Sequence, residues 1–208
     1  MFPLGSVLFP GGLLPLRVFE PRYRVLVERC LESDSVFGVA LIERGFEVGG
    51  GDERSMVGTL AQILECVEVD EGQYALVAQG GQRVKIARWR DDDPHPWAEV
   101  EPWPDEGLEG IEHGAGALDE SLTRVAEMLS RCFDSAAVRL QRPDLVGGPE
   151  LPDDPLEASW LASDAAPLSA HDRQRLLATP GVHRRLDLLA QVLSEHLETA
   201  ELLGELDS

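Results

Sequence analysis

Lysine is almost absent from these 208 residues: Lys85 is the only one among 18 basic side chains, so nearly all positive charge is arginine. Against those 18 stand 38 acidic residues, and the net charge is −20. The shortage is general, with 10 basic against 17 acidic residues in 1–104 and 8 against 21 in 105–208. Both halves repel phosphate backbones, which argues against nucleic acid as a partner. Only an isolated basic face made by Arg83, Lys85, Arg88 and Arg90 would revive RNA binding. Arginine in an acidic chain suits fixed ion pairs, because its planar fork matches a carboxylate.

Cysteine is nearly as scarce. Cys30, Cys66 and Cys132 are odd in number, widely spaced and set in apolar patterns, and read as buried thiols of a reducing compartment. No apolar run approaches the roughly 18 residues that suggest a bilayer span, and no basic-then-apolar leader opens the chain. The expected location is the cytoplasm, with no membrane partner.

Catalytic signatures are missing too. There is no GxxxxGK(S/T) phosphate loop, and Gly80-Gly81 is too short to make one. The five histidines are scattered, no HxxxH or CxxC spacing occurs, and Asp91-Asp92-Asp93 lacks EF-hand spacing and reads as a solvated loop. Lys85 is the only lysine available to a serine–lysine dyad, and no nucleophile is matched with a base and an orienting group. The chain therefore reads as a non-enzyme without cofactor or metal.

What is present begins with FPLGSVLFPGGLLPLRVFEPRYRVLV at residues 2–27. Phe2–Phe9 predicts a buried strand, Pro10-Gly11-Gly12 a turn, and Leu13–Phe19 a second strand. Pro15 removes a ladder donor and places that strand at an edge, bulge or bend. Glu20-Pro21 starts a helix, whose apolar face is Tyr23, Val27, Cys30 and Leu31. Further strands are expected at 36–43, 57–69, 74–78, 83–90 and 97–103, with a glycine-rich loop through Gly49-Gly50-Gly51 and turns at 70–73 and Gly80-Gly81. Residues 105–116 shift to glycine and acid and read as a linker between a unit at 1–104 and a helical unit at 117–208. In the second unit the period becomes about 3.6: Leu118, Leu122, Val125, Leu129, Cys132, Phe133, Ala136 and Leu140 form one long stripe. Short helices follow around Leu156–Leu161 and after a Ser169 cap. A last helix opened by Thr179-Pro180 buries Val182, Leu186, Leu189, Val192, Leu193 and Leu197.

FPLGSVLFPGGLLPLRVFEPRY resembles the opening of the Lon N-terminal domain, the substrate-binding module of Lon-type proteases that also occurs as a free-standing protein. VGTLAQI at 57–63, YALVAQGGQRVKI at 74–86 and the helical ending LSAHDRQRLLATPGVHRRLDLLAQVL are similar to further segments of that family, in the expected order. The resemblance implies an α+β fold: a PUA-like β-barrel of about six strands with one short early helix, followed by an α-helical bundle. It does not imply proteolysis, since the ATPase and peptidase parts of a Lon protease have no counterpart here.

By that resemblance, the expected function is non-catalytic binding of unfolded or tagged polypeptides, with a separate protease as a possible recipient. Two groups of residues are candidates for the binding surface. Trp89, Trp97 and Trp103 lie near the end of the barrel and would form an apolar patch if two stayed exposed, although indole rings are more often buried. Arg22 and Tyr23 could line a peptide groove, but the favoured reading is structural, with Arg22 paired to Glu20 or to an acid across the barrel and Phe19 and Tyr23 in the core. A small-ligand sensor using aromatic walls is the alternative function.

Overall fold

The computed structural model describes residues 1–45, 53–70, 72–106 and 111–206, without the side chains of 70, 111–115 and 203–206. The Gly49–Gly51 loop, Glu71 of the 70–73 turn and residues 107–110 of the expected linker lie outside the described residues. The chain forms two compact units, Met1–Pro104 and Asp105–Ser208.

The first unit is a six-stranded sheet carrying one helix. Its strands are β1 (Phe2–Leu4), β2 (Leu13–Val18), β3 (Val36–Arg44), β4 (Glu53–Asp70), β5 (Gln73–Trp89) and β6 (Ala98–Pro102), with helix α1 (Pro21–Leu31) between β2 and β3. The order is β1-β3-β4-β5-β2, and β6 joins β5 off that path. Strand β1 runs parallel to β3, and the other pairings are antiparallel.

This is not the closed or nearly closed barrel that the sequence suggests. The ladder does not return on itself among the described residues, because the predicted strand 2–9 is strand only to Leu4. The stretch after it crosses the sheet through single bonds instead. Thr59 Oγ1 donates to Leu8 O at 2.6 Å, Gly11 N to Gly80 O at 2.7 Å, and Gly80 N to Gly12 O at 2.8 Å. Nor are β1 and β2 partners across the Pro10-Gly11-Gly12 turn, since each pairs with a strand distant in sequence. As Pro15 requires, β2 pairs with β5 alone and stands at an edge.

Gly80-Gly81 is likewise no turn but the interior of β5, which runs unbroken through 17 residues. Glycine serves closeness here rather than curvature: a Cβ on Gly80 would drive into Phe9 O.

Helix α1 begins at Pro21, where the missing N–H costs no intrahelical bond. It buries Tyr23, Leu26, Val27 and Cys30 against Phe2, Phe37, Val39, Ala61, Ile63, Leu76 and Ala78. Leu26 takes the place expected of Leu31, which is exposed, and Phe19 is exposed rather than core. Each large apolar side chain so buried contributes about 1.5–3 kcal/mol.

The second unit is helical: α2 (Ile111–Leu140), α3 (Pro155–Ala165), α4 (Ala170–Leu177) and α5 (Val182–Leu206), with a 3-10 turn at Pro143–Leu145. Helix α2 starts at Ile111, so the last six residues of the expected linker are helical. Helices α2 and α5 pack together, α2 burying Leu118, Val125, Leu129 and Cys132 and α5 burying Val182, Leu186, Leu189, Val192, Leu193 and Leu197. Leu140, assigned to the stripe, is exposed. Asp154 and Ser169 cap α3 and α4 by accepting from Glu157 N and Asp172 N.

Candidate functional site

Two features of the sheet unit combine exposed apolar surface with concavity. The first is the outer face of β2, β5 and β4. Register places Pro15, Val77 and Glu65 in one row and Arg17, Ala75 and Val67 in the next. Alternation turns Leu14, Leu16, Leu76 and Ala78 inward, so these six point out. They border a groove of about 420 Å³. Leu13 is 62% exposed and Val67 59%, with Leu64 and Val69 exposed beside them on β4. An apolar strip bounded by Arg17 and Glu65 therefore lies beside an edge strand whose second side has no strand partner among the described residues.

The second feature is a cavity of about 250 Å³ under α1, between Leu26, Phe37, Leu60 and the segment His95–Ala98. His95 is buried, and its ring stacks on Trp97 with centroids 4.8 Å apart. Arg29 Nη1 lies 3.4 Å from His95 Nε2, and His95 Nδ1 lies 3.3 Å from Pro96 O. Those partners assign the tautomer: Nδ1–H donates to the carbonyl and Nε2 accepts from the guanidinium. Burial lowers the His95 pKa, and the Arg29 charge adds to that. The Met1 amino group also lines the cavity, donating to Pro96 O at 2.9 Å, and burial pulls its pKa down to about 6.

The three candidate tryptophans are not gathered into one patch. Trp97 and Trp103 flank β6, roughly 20 Å apart at the rise of an extended strand. Trp97 is 45% exposed at the cavity, with the Arg29 guanidinium 5.9 Å from its ring centroid. Trp103 is half-buried under Arg83 and Lys85, which sit 4.1 and 4.2 Å from its centroid. Trp89 is half-buried under Arg54 at 4.9 Å. Arg22 and Tyr23 lie within α1's first turn. Tyr23 is buried and stacks on Phe2 with centroids 4.1 Å apart and planes 10° from parallel. Arg22 Nε bonds Glu20 at 3.1 Å while its guanidinium covers the Tyr23 ring at 4.5 Å.

The basic run does not make a phosphate-binding face. Lys85 and Arg88 stand in register with Glu101 and Glu99 of β6, Arg90 pairs with Glu99, and Arg83 is buried against the carbonyls of Trp103 and Pro104. Among the described residues no group of three or more histidine, cysteine or acidic side chains converges as a metal site, and no helix is long and apolar enough to cross a membrane.

Sequence reasoning missed Leu13 and Val67 as surface apolar residues, and His95 and Arg29 as a pair. The first had a signal, since Val67 and Val69 alternate with acids on a strand end that had to meet solvent. The second had none, since 66 positions separate the two residues.

Comparison with known proteins decides the family. The family model of the ATP-dependent protease La (LON) substrate-binding domain matches residues 1–195. The chain belongs to the Lon substrate-binding domain family. It is 27% identical over 206 residues to a Lon protease of Anaeromyxobacter dehalogenans and 26% identical to Lon protease 2 of Myxococcus xanthus, covering 98% of this chain in each case. It spans only 24% of those relatives' length. Among solved structures, the Lon N-terminal domain protein from Xanthomonas campestris is 30% identical at a TM-score of 0.60, over 93% of this chain and 95% of that one. The N-terminal domain of a Mycobacterium avium complex Lon protease shares the fold, with a TM-score of 0.64 at 19% identity over 93% and 97% of the two chains.

Proposed function

We propose that this chain binds polypeptide and performs no catalysis of its own, taking unfolded or tagged clients in the cytoplasm and passing them to a separate protease. The observation that carries the reading is the apolar strip on β2, β5 and β4, beside the side of β2 that has no strand partner among the described residues. An extended segment added along β2 would gain main-chain hydrogen bonds, while its alternate side chains passed the exposed Leu13 and settled into the groove at Pro15, Val77 and Val67. Such recognition reads apolar alternation and not a particular sequence, which suits unfolded clients. The charge of −20 keeps an exposed apolar strip from associating with other copies and favours basic or weakly charged segments.

The test is fluorescence anisotropy with a labelled, unfolded peptide of alternating apolar and polar residues. Leu13→Asp/Val67→Asp should weaken binding at least about tenfold, the equivalent of 1.4 kcal/mol, with an unchanged thermal transition. Equal affinity of the variant and the parent sinks the reading.

A further inference from the structure

The cavity under α1 shares no lining residue with the apolar strip and has a different chemistry. Its walls at Leu26, Phe37, Leu60 and Trp97 are apolar, yet a guanidinium stands at its rim. Among the described residues eight guanidinium–carboxylate pairs close to 3.1 Å or less, including Arg22–Glu20, Arg54–Asp92 and Arg185–Asp105. Arg29 is different: its described partners are the neutral Nε2 of His95 and the face of Trp97, with no carboxylate among the described residues. Both partners leave its charge uncompensated, and His95 uses only one of its five N–H donors. The cavity's volume exceeds the 150 Å³ or so that accommodates benzene in an apolar protein interior. It therefore admits one ring or branched side chain with a short stem.

We infer that this cavity binds a carboxylate carried on a compact apolar group, the apolar body packing between Phe37, Leu60 and Trp97 and the carboxylate meeting Arg29. The same chemistry belongs to a small aryl-alkanoic acid and to the C-terminal residue of a polypeptide. His95 is a positioning residue: its buried ring fixes the Trp97 plane by stacking and directs one Arg29 N–H inward, leaving the remaining donors for the ligand. A charge-assisted bond of this kind contributes more than a neutral one, and a guanidinium can meet a carboxylate with two parallel N–H donors.

The experiment follows the Trp97 indole N–H in two-dimensional NMR, assigned by its loss in Trp97→Phe. The probes are 3-phenylpropionate, its neutral amide 3-phenylpropanamide, and a short peptide ending Leu-Phe with a free or an amidated C-terminus. The expected result is a saturable Trp97 shift with the free acid, the free-carboxylate peptide or both. Binding should be at least about tenfold weaker for the matching amide and for Arg29→Gln, whose side chain is exposed and whose fold is checked by its amide spectrum. Response to the acid alone assigns the site to small acids, and response to the peptide alone assigns it to chain ends. Equal binding of acid and amide, undiminished binding by Arg29→Gln, or no Trp97 shift with any probe at millimolar concentration overturns the inference.

Discussion

Asp105 Oδ1 accepts a hydrogen bond from Arg185 Nη1 at 2.7 Å, and the two side chains are 6% and 0% exposed. Around this pair, Arg185 Nε and Nη2 both reach Ser159 Oγ at 3.1 and 2.9 Å, and its guanidinium lies 3.4 Å from the centroid of Trp160. The Ser159 hydroxyl donates onward to Leu156 O at 2.8 Å and so is free to accept from the arginine. One buried cation thus ties the start of the helical unit to α3 and α5. Removing its counter-charge leaves that cation uncompensated, so Asp105→Ala should destabilise the helical unit by about 3–5 kcal/mol. Arg185→Met combined with Asp105→Ala should restore part of the loss. Urea denaturation followed by far-UV circular dichroism checks both.

Gly80 is the corresponding weak point of the sheet unit. Its amide and carbonyl hold Gly12 and Gly11, and its missing Cβ leaves room for Phe9 O. Gly80→Ala forces the 5–12 segment away from β5 and breaks those bonds, an overpacking cost of about 1–3 kcal/mol or more. Gly81→Ala, where the nearest atom is Leu60 O at 3.4 Å, is tight but should cost less. Thermal melts of the two variants give the comparison.

Elements whose cause is local were legible in the chain. Pro21 starts α1, Ser169 caps α4, and the 3.6-residue stripe marks α2, because each depends on neighbours within a turn. Strand partnership was not legible, since pairing β1 with β3 and β2 with β5 depends on contacts made across the sheet. Gly80-Gly81 has the composition of a turn and only the approach of Phe9 O shows why it is strand. Arg185 escaped notice because arginine ordinarily marks a helix's wet face. Its position beside Leu186, three after Val182 and four before Leu189, did place it on the buried stripe. The tryptophans were grouped by nearness in sequence, whereas the extended β6 separates Trp97 from Trp103.

His95 makes the sheet unit sensitive to acid. Burial lowers its pKa in the folded state, so below the unfolded value near 6.5 the unfolded chain binds the extra proton first. Its stabilising contribution is therefore complete above that value and declines as pH falls from about 6.5 toward the folded pKa, below which the loss is complete. Protonation also removes the Nε2 acceptor that Arg29 uses. Thermal melts at pH 7.5 and 5.5 should show a larger drop in Tm for the parent than for His95→Gln, which cannot titrate. An equal drop in both would assign the acid sensitivity to other groups, the carboxylates or the buried Met1 amino group, whose pKa of about 6 lies in the same window.

Tyr23 and Trp97 are both aromatic candidates for recognition, and their surroundings predict opposite outcomes on truncation. Tyr23 is 3% exposed and packed face to face on Phe2, inside the cluster that joins α1 to the sheet. Tyr23→Ala should cost about 3–5 kcal/mol, as large aromatic truncations in cores do. It should also lower binding of any ligand indirectly, by reducing the folded fraction. Trp97 is 45% exposed and contacts His95 through one face. Trp97→Ala should cost less stability than Tyr23→Ala, the ring stacking on His95 being worth about 0.5–1.5 kcal/mol beyond the area it buries, while abolishing binding of the phenyl probes as read from the probes' own NMR signals. Measuring stability and probe binding on both variants separates the two roles: a stable Tyr23→Ala that loses binding would make Tyr23 part of the recognition surface after all.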